Sequence, residues 1–407
     1  MNQKLSRLAV FGAAPSFREK LHVGRPNVGD RERLFARIGE ILERRWLSNY
    51  GPCVQELEQR LAEFLGVKHC IAMCNATIGL EIVIRALELT GEVILPSFTF
   101  IATAHALQWL KVTPVFCDID PATHNLDPKR VAQAITPRTS GIIGVHLWGR
   151  PCDVAALSEI AGEHGLKLIF DAAHAFGCSY RGTTIGSFGD AEVFSFHATK
   201  FFNSFEGGAV ATNNDELAKK IRLMMNFGFA GYDHVVQVGT NGKMNEVSAA
   251  MGLENFASLD QFVTTNRRNY EQYQQEVAHI PGLTLLTFDE NERNNYQYVV
   301  VEVDEATTQV TRDQLVEILW AENVLARRYF YPGCHRMEPY RSLFPNAGAA
   351  LPETEKLTQR VLVLPTGTAV NTDDIVKLCG ILENVVRNGS EIRRTLEQRL
   401  AVSGVIE

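Results

Sequence analysis

Residues 168–174 read Leu-Ile-Phe-Asp-Ala-Ala-His, an apolar run that ends in a carboxylate. The run predicts a short buried strand with Asp171 at its carboxyl end. Around it, strand-like and helix-like segments alternate from residue 55 to about residue 225. This alternation predicts an α/β domain in which helices cover both faces of a mainly parallel sheet.

The spacing of apolar residues places the individual elements of this domain. Strands are expected at 70–74, 93–95, 114–117, 141–147, 167–170, 192–196 and 209–212. Helices are expected at 78–89, 101–110, 128–135 and 154–164, and two more at 217–225 and 246–259 lead out of the domain.

The order of the predicted strands and helices changes after about residue 265. Strands are expected at 283–287 and 298–303, and helices at 312–321, 373–388 and 391–400. This mixture predicts a smaller α+β domain. We therefore assign residues 1–265 to an N-terminal segment and a large α/β domain, and residues 266–407 to the smaller domain.

A lysine follows the strand predicted at 192–196. Residues 195–200 read Ser-Phe-His-Ala-Thr-Lys, and Glu206-Gly207-Gly208 follows. A lysine amine and a strand-end carboxylate are the two groups that pyridoxal phosphate (PLP) needs: the amine of Lys200 would form the Schiff base, and Asp171 would hold the proton on the pyridine nitrogen. A surface lysine is the common alternative, but the apolar strand, the hydroxyls and the Gly-Gly turn favour a site.

Other polar and aromatic residues stand at predicted strand ends, where ligands of open α/β sheets bind. Ala76 and Thr77 open a helix, which suits a phosphate, although an ordinary helix cap gives the same pattern. Phe100 could stack on a flat ring or be a core aromatic. His174 could hydrogen-bond the phenolic oxygen of the cofactor or be a satisfied polar residue. Asp171 alone could be a cap or an ion-pair partner.

Composition argues against several classes of function. With 45% hydrophobic and 21% charged residues, the chain resembles a globular protein with a large core. A net charge of −7 without a basic tract argues against nucleic acid as a partner. The uncharged stretch 93–110 contains too many polar side chains to span a membrane. Eight cysteines without a Cys-x-x-Cys pair indicate reduced thiols in a cytoplasmic protein.

The sequence lacks the usual signals of several enzyme classes. It contains no G-x-G-x-x-G, no G-x-x-x-x-G-K-[ST], no H-E-x-x-H and no G-x-S-x-G. Dehydrogenase, P-loop, zinc-protease and hydrolase functions therefore lose their usual support, and no metal site is expected.

The motifs together resemble the DegT/DnrJ/StrS family of nucleotide-sugar aminotransferases, and the resemblance covers most of the chain. The most specific motif is Ser195–Lys200 with Glu206-Gly207-Gly208. The weaker ones are Asn49-Tyr50-Gly51-Pro52, Asn75-Ala76-Thr77, Pro96-Ser97-Phe98-Thr99-Phe100, His146-Leu147-Trp148-Gly149, Asp171-Ala172-Ala173-His174-Ala175, Gly242-Lys243-Met244-Asn245-Glu246 and Tyr331-Pro332-Gly333-Cys334-His335.

The resemblance implies a fold type I, aspartate-aminotransferase-like enzyme that has a seven-stranded sheet and binds PLP. It also implies a homodimer with active sites at the subunit interface. Lys200 would be the catalytic residue. The cofactor would be held by Ala76, Thr77, Phe100, Asp171, His174, Ser195, Lys200 and, from the other subunit, Asn241. Tyr331 and His335 lie where the family handles the nucleotide-sugar.

The sequence departs from the family pattern at two positions. Many members have glycine where Ala76 stands and glutamine where His174 stands. One relative replaces the lysine with histidine and is a sugar dehydratase, so the retained Lys200 favours transamination.

The resemblance also suggests a substrate. Residues 242–246 and 327–333 resemble the branch that aminates dTDP-4-keto-6-deoxy-D-glucose at C4, with L-glutamate as the expected amino donor. Two alternatives stay open within the class: a C3-aminotransferase acting on a 3-keto-sugar, and an enzyme with a substrate that is not a nucleotide-sugar. A third is a non-catalytic protein of the same fold that regulates a pathway.

Overall fold

A computed structural model describes residues 7–403. Its strands are β1 Leu21–His22, β2 His69–Met73, β3 Glu92–Pro96, β4 Thr113–Cys117, β5 Thr139–Val145, β6 Lys167–Asp171, β7 Ser179–Tyr180, β8 Thr183–Thr184, β9 Ala191–Ser195, β10 Gly208–Thr212, β11 Leu283–Leu285, β12 Val299–Val303, β13 Val324–Leu325 and β14 Val361–Leu364.

The α-helices are α1 Arg31–Arg44, α2 Pro52–Leu65, α3 Ala76–Ala86, α4 Ile101–Trp109, α5 Pro128–Ala134, α6 Val154–His164, α7 Asp215–Met224, α8 Glu246–Ala257, α9 Leu259–Val277, α10 Glu305–Thr308, α11 Arg312–Ala321, α12 Tyr340–Leu343, α13 Pro352–Thr358, α14 Thr372–Arg387 and α15 Gly389–Ser403. Short 3-10 turns cover Ala9–Phe11, Leu147–Gly149, Cys334–Arg336 and Ala347–Ala350.

The central sheet has seven strands in the order β2-β10-β9-β6-β5-β3-β4. Only β10 runs antiparallel to its neighbours, β2 and β9. It does so because a loop, rather than a crossover helix, leads back from β9. The register sets Asp171 opposite Val145 on one side and Val193 on the other. The predicted mainly parallel, seven-stranded α/β sheet is confirmed.

The smaller domain is built on a three-stranded antiparallel sheet in the order β11-β12-β14. Its apolar core is formed by inward-facing strand residues such as Val301 and Leu362 together with residues of α9, α11 and α14. This agrees with the α+β domain predicted for the C-terminal part.

The N-terminal segment, which the sequence analysis groups with the large domain, contacts the smaller domain. Leu8, Phe11, Phe17 and Leu21 pack into the core of the smaller domain. The N-terminal segment is joined to the smaller domain by a parallel pairing of β1 with β13, in which Leu21 lies opposite Val324. The sequence has no local signal for such a long-range pairing. The division at residue 265 stays a prediction, and that residue lies inside α9.

The stretch 93–110 forms the buried strand β3 and the helix α4. Between residues 7 and 403, no helix has the length and apolar character needed to cross a membrane. The eight cysteines have free thiols. The part of the chain that the structure describes contains no cluster of side chains that could hold a metal ion.

Candidate active site

Asp171 ends strand β6 and is buried. Its carboxylate accepts hydrogen bonds from the hydroxyl of Thr103, at 2.8 Å, and from the backbone N–H of Ala173, at 3.1 Å. Both donors are neutral, so burial dominates and raises the pKa of the Asp171 carboxyl. A cationic N–H partner would offset the cost of this buried charge.

Lys200 lies in the turn that follows β9, and its Nζ donates a hydrogen bond to the hydroxyl of Tyr298 at 3.3 Å. Burial lowers the pKa of Lys200 to about 8, against the opposing influence of the Asp171 carboxylate. A lysine with such a pKa is partly neutral at physiological pH, and the neutral amine is both a nucleophile and a base.

His174 stands three residues beyond Asp171. Its Nδ1 accepts a hydrogen bond from the backbone N–H of Trp148 at 3.2 Å. Burial, with a smaller contribution from the charge of Lys200, lowers the pKa of His174 well below its ordinary value. Because Nδ1 is an acceptor, the proton of the neutral ring lies on Nε2, which leaves a hydrogen-bond donor at the other end of the ring.

The start of helix α3 supplies backbone donors. Asn75 caps the helix by accepting from the N–H of Ile78 at 2.9 Å. Ala76 and Thr77 occupy the first turn, where the helix offers no carbonyl to their N–H groups. The backbone at Gly208 approaches closely: a Cβ there would lie 2.8 Å from the nitrogen of Ala76. This close packing lets α3 begin beside the start of β10.

These groups face one cavity of about 610 Å³. Seven of the eight residues predicted to hold the cofactor line it: Ala76, Thr77, Phe100, Asp171, His174, Ser195 and Lys200. Phe100 is 58% exposed, so one side of its ring is free to cover a flat ligand. The donor set fits PLP, since it offers an amine, a carboxylate without a cationic hydrogen-bond partner and a helix N-terminus that suits a phosphate.

The remaining predicted residues lie elsewhere. Asn241 is exposed and outside the cavity lining, so its expected role depends on a second subunit. Tyr331 lines a neighbouring cavity. His335 is buried, with Nδ1 2.7 Å from the Ser97 hydroxyl and Nε2 2.8 Å from Glu355. With a partner at each ring nitrogen, His335 anchors its loop, and its expected contact with the nucleotide-sugar stays a prediction.

Several residues of the site were not predicted. Thr103 does not line the cavity but holds the Asp171 carboxylate, and its position three residues after Phe100, one turn along α4, could have revealed it. Tyr298, Tyr329 and Phe330 line the cavity itself. They belong to the C-terminal part of the chain, and no local pattern links them to a strand end of the large sheet.

An amine and a carboxylate that meet at the carboxyl edge of a mainly parallel sheet are characteristic of fold type I, and the protein is a PLP-dependent aminotransferase of that class. More specifically, the chain belongs to the DegT/DnrJ/EryC1/StrS aminotransferase family, whose model matches residues 29–383.

Individual relatives agree with this assignment. The chain is 36% identical over 363 residues to dTDP-4-amino-4,6-dideoxy-D-glucose transaminase of Escherichia coli, covering 88% of this chain and 97% of the relative. It is 34% identical to GDP-perosamine synthase of Caulobacter vibrioides, covering 90% of this chain and 98% of the relative.

Solved structures are also similar. A structure of DesI in the presence of its TDP-sugar product superposes with a TM-score of 0.92 at 52% identity, covering 97% of this chain and 100% of DesI. Helicobacter pylori PseC, an aminotransferase involved in pseudoaminic acid biosynthesis, superposes with a TM-score of 0.85 at 26% identity, covering 91% of this chain and 100% of PseC.

Proposed function

We propose that this enzyme transfers an amino group from L-glutamate to the 4-keto carbon of dTDP-4-keto-6-deoxy-D-glucose, giving dTDP-4-amino-4,6-dideoxy-D-glucose. The observation that carries the proposal of transamination is the meeting of Lys200 and Asp171 at one cavity. The sugar is supported by the name of the E. coli relative and by the TDP-sugar product of DesI.

When bound, PLP supplies an electron sink that allows a C–H bond next to nitrogen to be broken. The residues of this chain do the rest. Lys200, neutral in part because of its burial, takes the proton from the α-carbon of the amino donor and delivers it to the cofactor carbon on the other side of that nitrogen. In the second half-reaction Lys200 moves a proton the opposite way, onto C4 of the sugar. Asp171 holds the proton on the ring nitrogen, and the Nε2–H of His174 donates to the phenolic oxygen. The amides of Ala76 and Thr77 and the hydroxyl of Ser195 bind the phosphate.

A second cavity of about 330 Å³ continues from the first, since Phe100, Tyr329 and Phe330 line both. Its other lining residues include Arg327 and Arg328. Guanidinium groups bind phosphate oxygens well. We therefore infer that the diphosphate end of the substrate occupies this second cavity beside Tyr331, while the sugar reaches Lys200.

The proposed homodimer is supported by exposed apolar residues between positions 227 and 238. The exposed side chains of this segment are Phe227, Phe229, Tyr232, Val235, Val236 and Val238. A contiguous set of this kind is typical of a protein–protein contact. In such a dimer, Asn241 would contribute to the phosphate site of the second subunit.

The test is incubation of the PLP-loaded enzyme with glutamate and a panel of keto nucleotide sugars, followed by NMR of the products. Amination at C4 of the dTDP-linked 4-keto sugar supports the proposal, and amination at C3 or of another sugar contradicts it. Asp171→Asn is the matched control: it should bind PLP but lose at least about 100-fold in rate. No turnover of any sugar by the native enzyme would favour a non-catalytic protein.

A further inference from the structure

Tyr298 touches the reacting amine although it belongs to the smaller domain. It immediately precedes β12 and is buried, and its hydroxyl lies 3.3 Å from Nζ of Lys200. Two neighbours fix its ring. The centroid of His174 lies at 4.5 Å and that of Trp148 at 5.4 Å. A packed ring leaves its hydroxyl little freedom to move.

The titratable groups that face the amine come from three parts of the chain. Asp171 and His174 come from the end of β6, Tyr298 from the start of β12 and Tyr329 from the loop after β13. Burial lowers the pKa of His174 and raises the pKa values of both tyrosines, so all three rings are neutral at physiological pH. Among these four groups, only Asp171 can carry a negative charge towards Lys200.

We propose that Tyr298 is a positioning residue, whose neutral hydroxyl holds the amine of Lys200 at the cavity wall whenever that amine is not bonded to the cofactor. A carboxylate in the same place would favour the ammonium form and suppress its reactivity. A phenol accepts the N–H without adding charge. The amine of Lys200 is therefore held in one position and stays reactive.

The step that depends on this position is the bonding of the lysine to an aldehyde. The neutral nitrogen forms a C=N bond with the aldehyde carbon, and the aldehyde oxygen leaves as water together with the two protons that the nitrogen gives up. Correct placement of the two reacting atoms governs the rate of such a step. The inference rests on the proposed role of Lys200 as the reacting amine.

The test uses Tyr298→Phe, which keeps the ring and removes the hydroxyl. Cofactor-free protein is mixed with PLP, and the appearance of the absorption band of lysine-bound PLP is followed across the pH range around the lysine pKa of about 8. We expect bonding to be about 10- to 100-fold slower than in the native enzyme. A rate equal to that of the native enzyme would overturn the proposal.

Pyridoxamine phosphate separates positioning from folding, because it lacks the aldehyde and cannot bond to lysine. Its affinity should be unchanged in Tyr298→Phe. Loss of that affinity would mean that Tyr298 shapes the cavity instead, which also overturns the proposal. If the native enzyme itself fails to bond PLP, the assignment of Lys200 fails rather than that of the tyrosine.

Tyr273→Phe is the matched control. The hydroxyl of Tyr273 is also buried and donates a hydrogen bond to the carbonyl of Pro365 at 2.8 Å, within the smaller domain. Its removal should cost stability but leave the bonding rate unchanged. A slowing as large as that of Tyr298→Phe would show that the loss of any buried tyrosine hydroxyl has this effect.

Discussion

The buried pair Asp171 and Lys200 have pKa values displaced in opposite directions by the same cause. Burial disfavours the charged form of each, so the carboxyl pKa rises and the lysine pKa falls to about 8. Displaced pKa values of this kind concentrate at functional sites because reactivity requires them. The folded protein therefore accepts a cost in stability at this site.

Replacing Lys200 with an uncharged residue should remove this loss of stability. Since the pKa falls from 10.5 to about 8 on folding, the unfolded chain binds the proton more tightly, and the cost is fully present below pH 8. Cofactor-free Lys200→Met should be more stable than the cofactor-free native protein at pH 7, by about 2–4 kcal/mol. The difference should shrink as the pH rises from 8 towards 10.5. Thermal melting at several pH values measures it.

Lys219→Met provides the control, since Lys219 is exposed on α7. It should change the melting temperature little at any pH. If cofactor-free Lys200→Met melts below the native protein at pH 7, the lysine carries no such cost.

His174 should behave as a neutral hydrogen-bond donor, a role that a glutamine side chain can also fill. His174→Gln keeps an N–H donor, so its rate should stay within about threefold of the native rate, whereas His174→Leu should lose about tenfold or more. Because the pKa of His174 lies well below its usual value, the pH profile of kcat should show no ionisation that His174→Gln removes. An inflection near neutral pH in the native enzyme alone would contradict this.

At the scale of elements, the local pattern predicted most of the large domain. Helix α6 has the predicted bounds, and the predicted end of β6 differs from the observed end by only one residue. These elements are well marked because Asp153 caps the start of α6 and Gly165 ends it with a left-handed backbone. Shorter elements such as β7 and β8 were not predicted, because two residues are too few to show a periodic pattern of apolar side chains.

The start of α3 depends on the glycine of β10 that lies against it. An alanine Cβ at position 208 would lie 2.7 Å from the carbonyl oxygen of Phe194 and 2.8 Å from the nitrogen of Ala76, so the backbone would have to shift. Gly208→Ala should lower stability by about 1–3 kcal/mol. It should also weaken the binding of PLP, which equilibrium titration measures.

Gly162→Ala is the control for this change. Gly162 lies inside α6 with nothing within 4 Å of an added Cβ, so alanine should stabilise the helix by about 0.5–1 kcal/mol. Unchanged PLP affinity in Gly208→Ala would show that the start of α3 does not hold the phosphate.

At the scale of the whole molecule, the cavity is closed by residues that are distant in sequence. Lys200 and Asp171 could be predicted because each follows a recognisable strand. Tyr298 could not, because its place depends on how the smaller domain packs against the sheet. Asn241 and His335 lie outside the lining of the cavity of their own chain. The expected role of Asn241 at the site of a second subunit, and that of His335 at the nucleotide-sugar, stay predictions.

The proposed dimer predicts complementation between two inactive variants. Lys200→Ala and Asn241→Ala should each have low activity alone. In a mixed dimer, one site carries both defects and the other carries none. Unfolding and refolding of an equal mixture should therefore restore about one quarter of the native activity per site, assuming random pairing. No restoration would mean that Asn241 serves its own subunit, and full activity of Asn241→Ala alone would exclude its role at the phosphate.

The pairing of β1 with β13 bears on synthesis. Near this pairing, the backbone N–H of Ala9 donates a hydrogen bond to the carboxylate of Glu322, 313 positions later in the chain. Because a ribosome releases the chain from its amino end, the segment that contains Leu8 and Phe11 emerges long before the residues of the smaller domain that it packs against. The side chains of Leu8 and Phe11 therefore stay exposed during most of translation. A chaperone that covers this segment would prevent it from aggregating in that period.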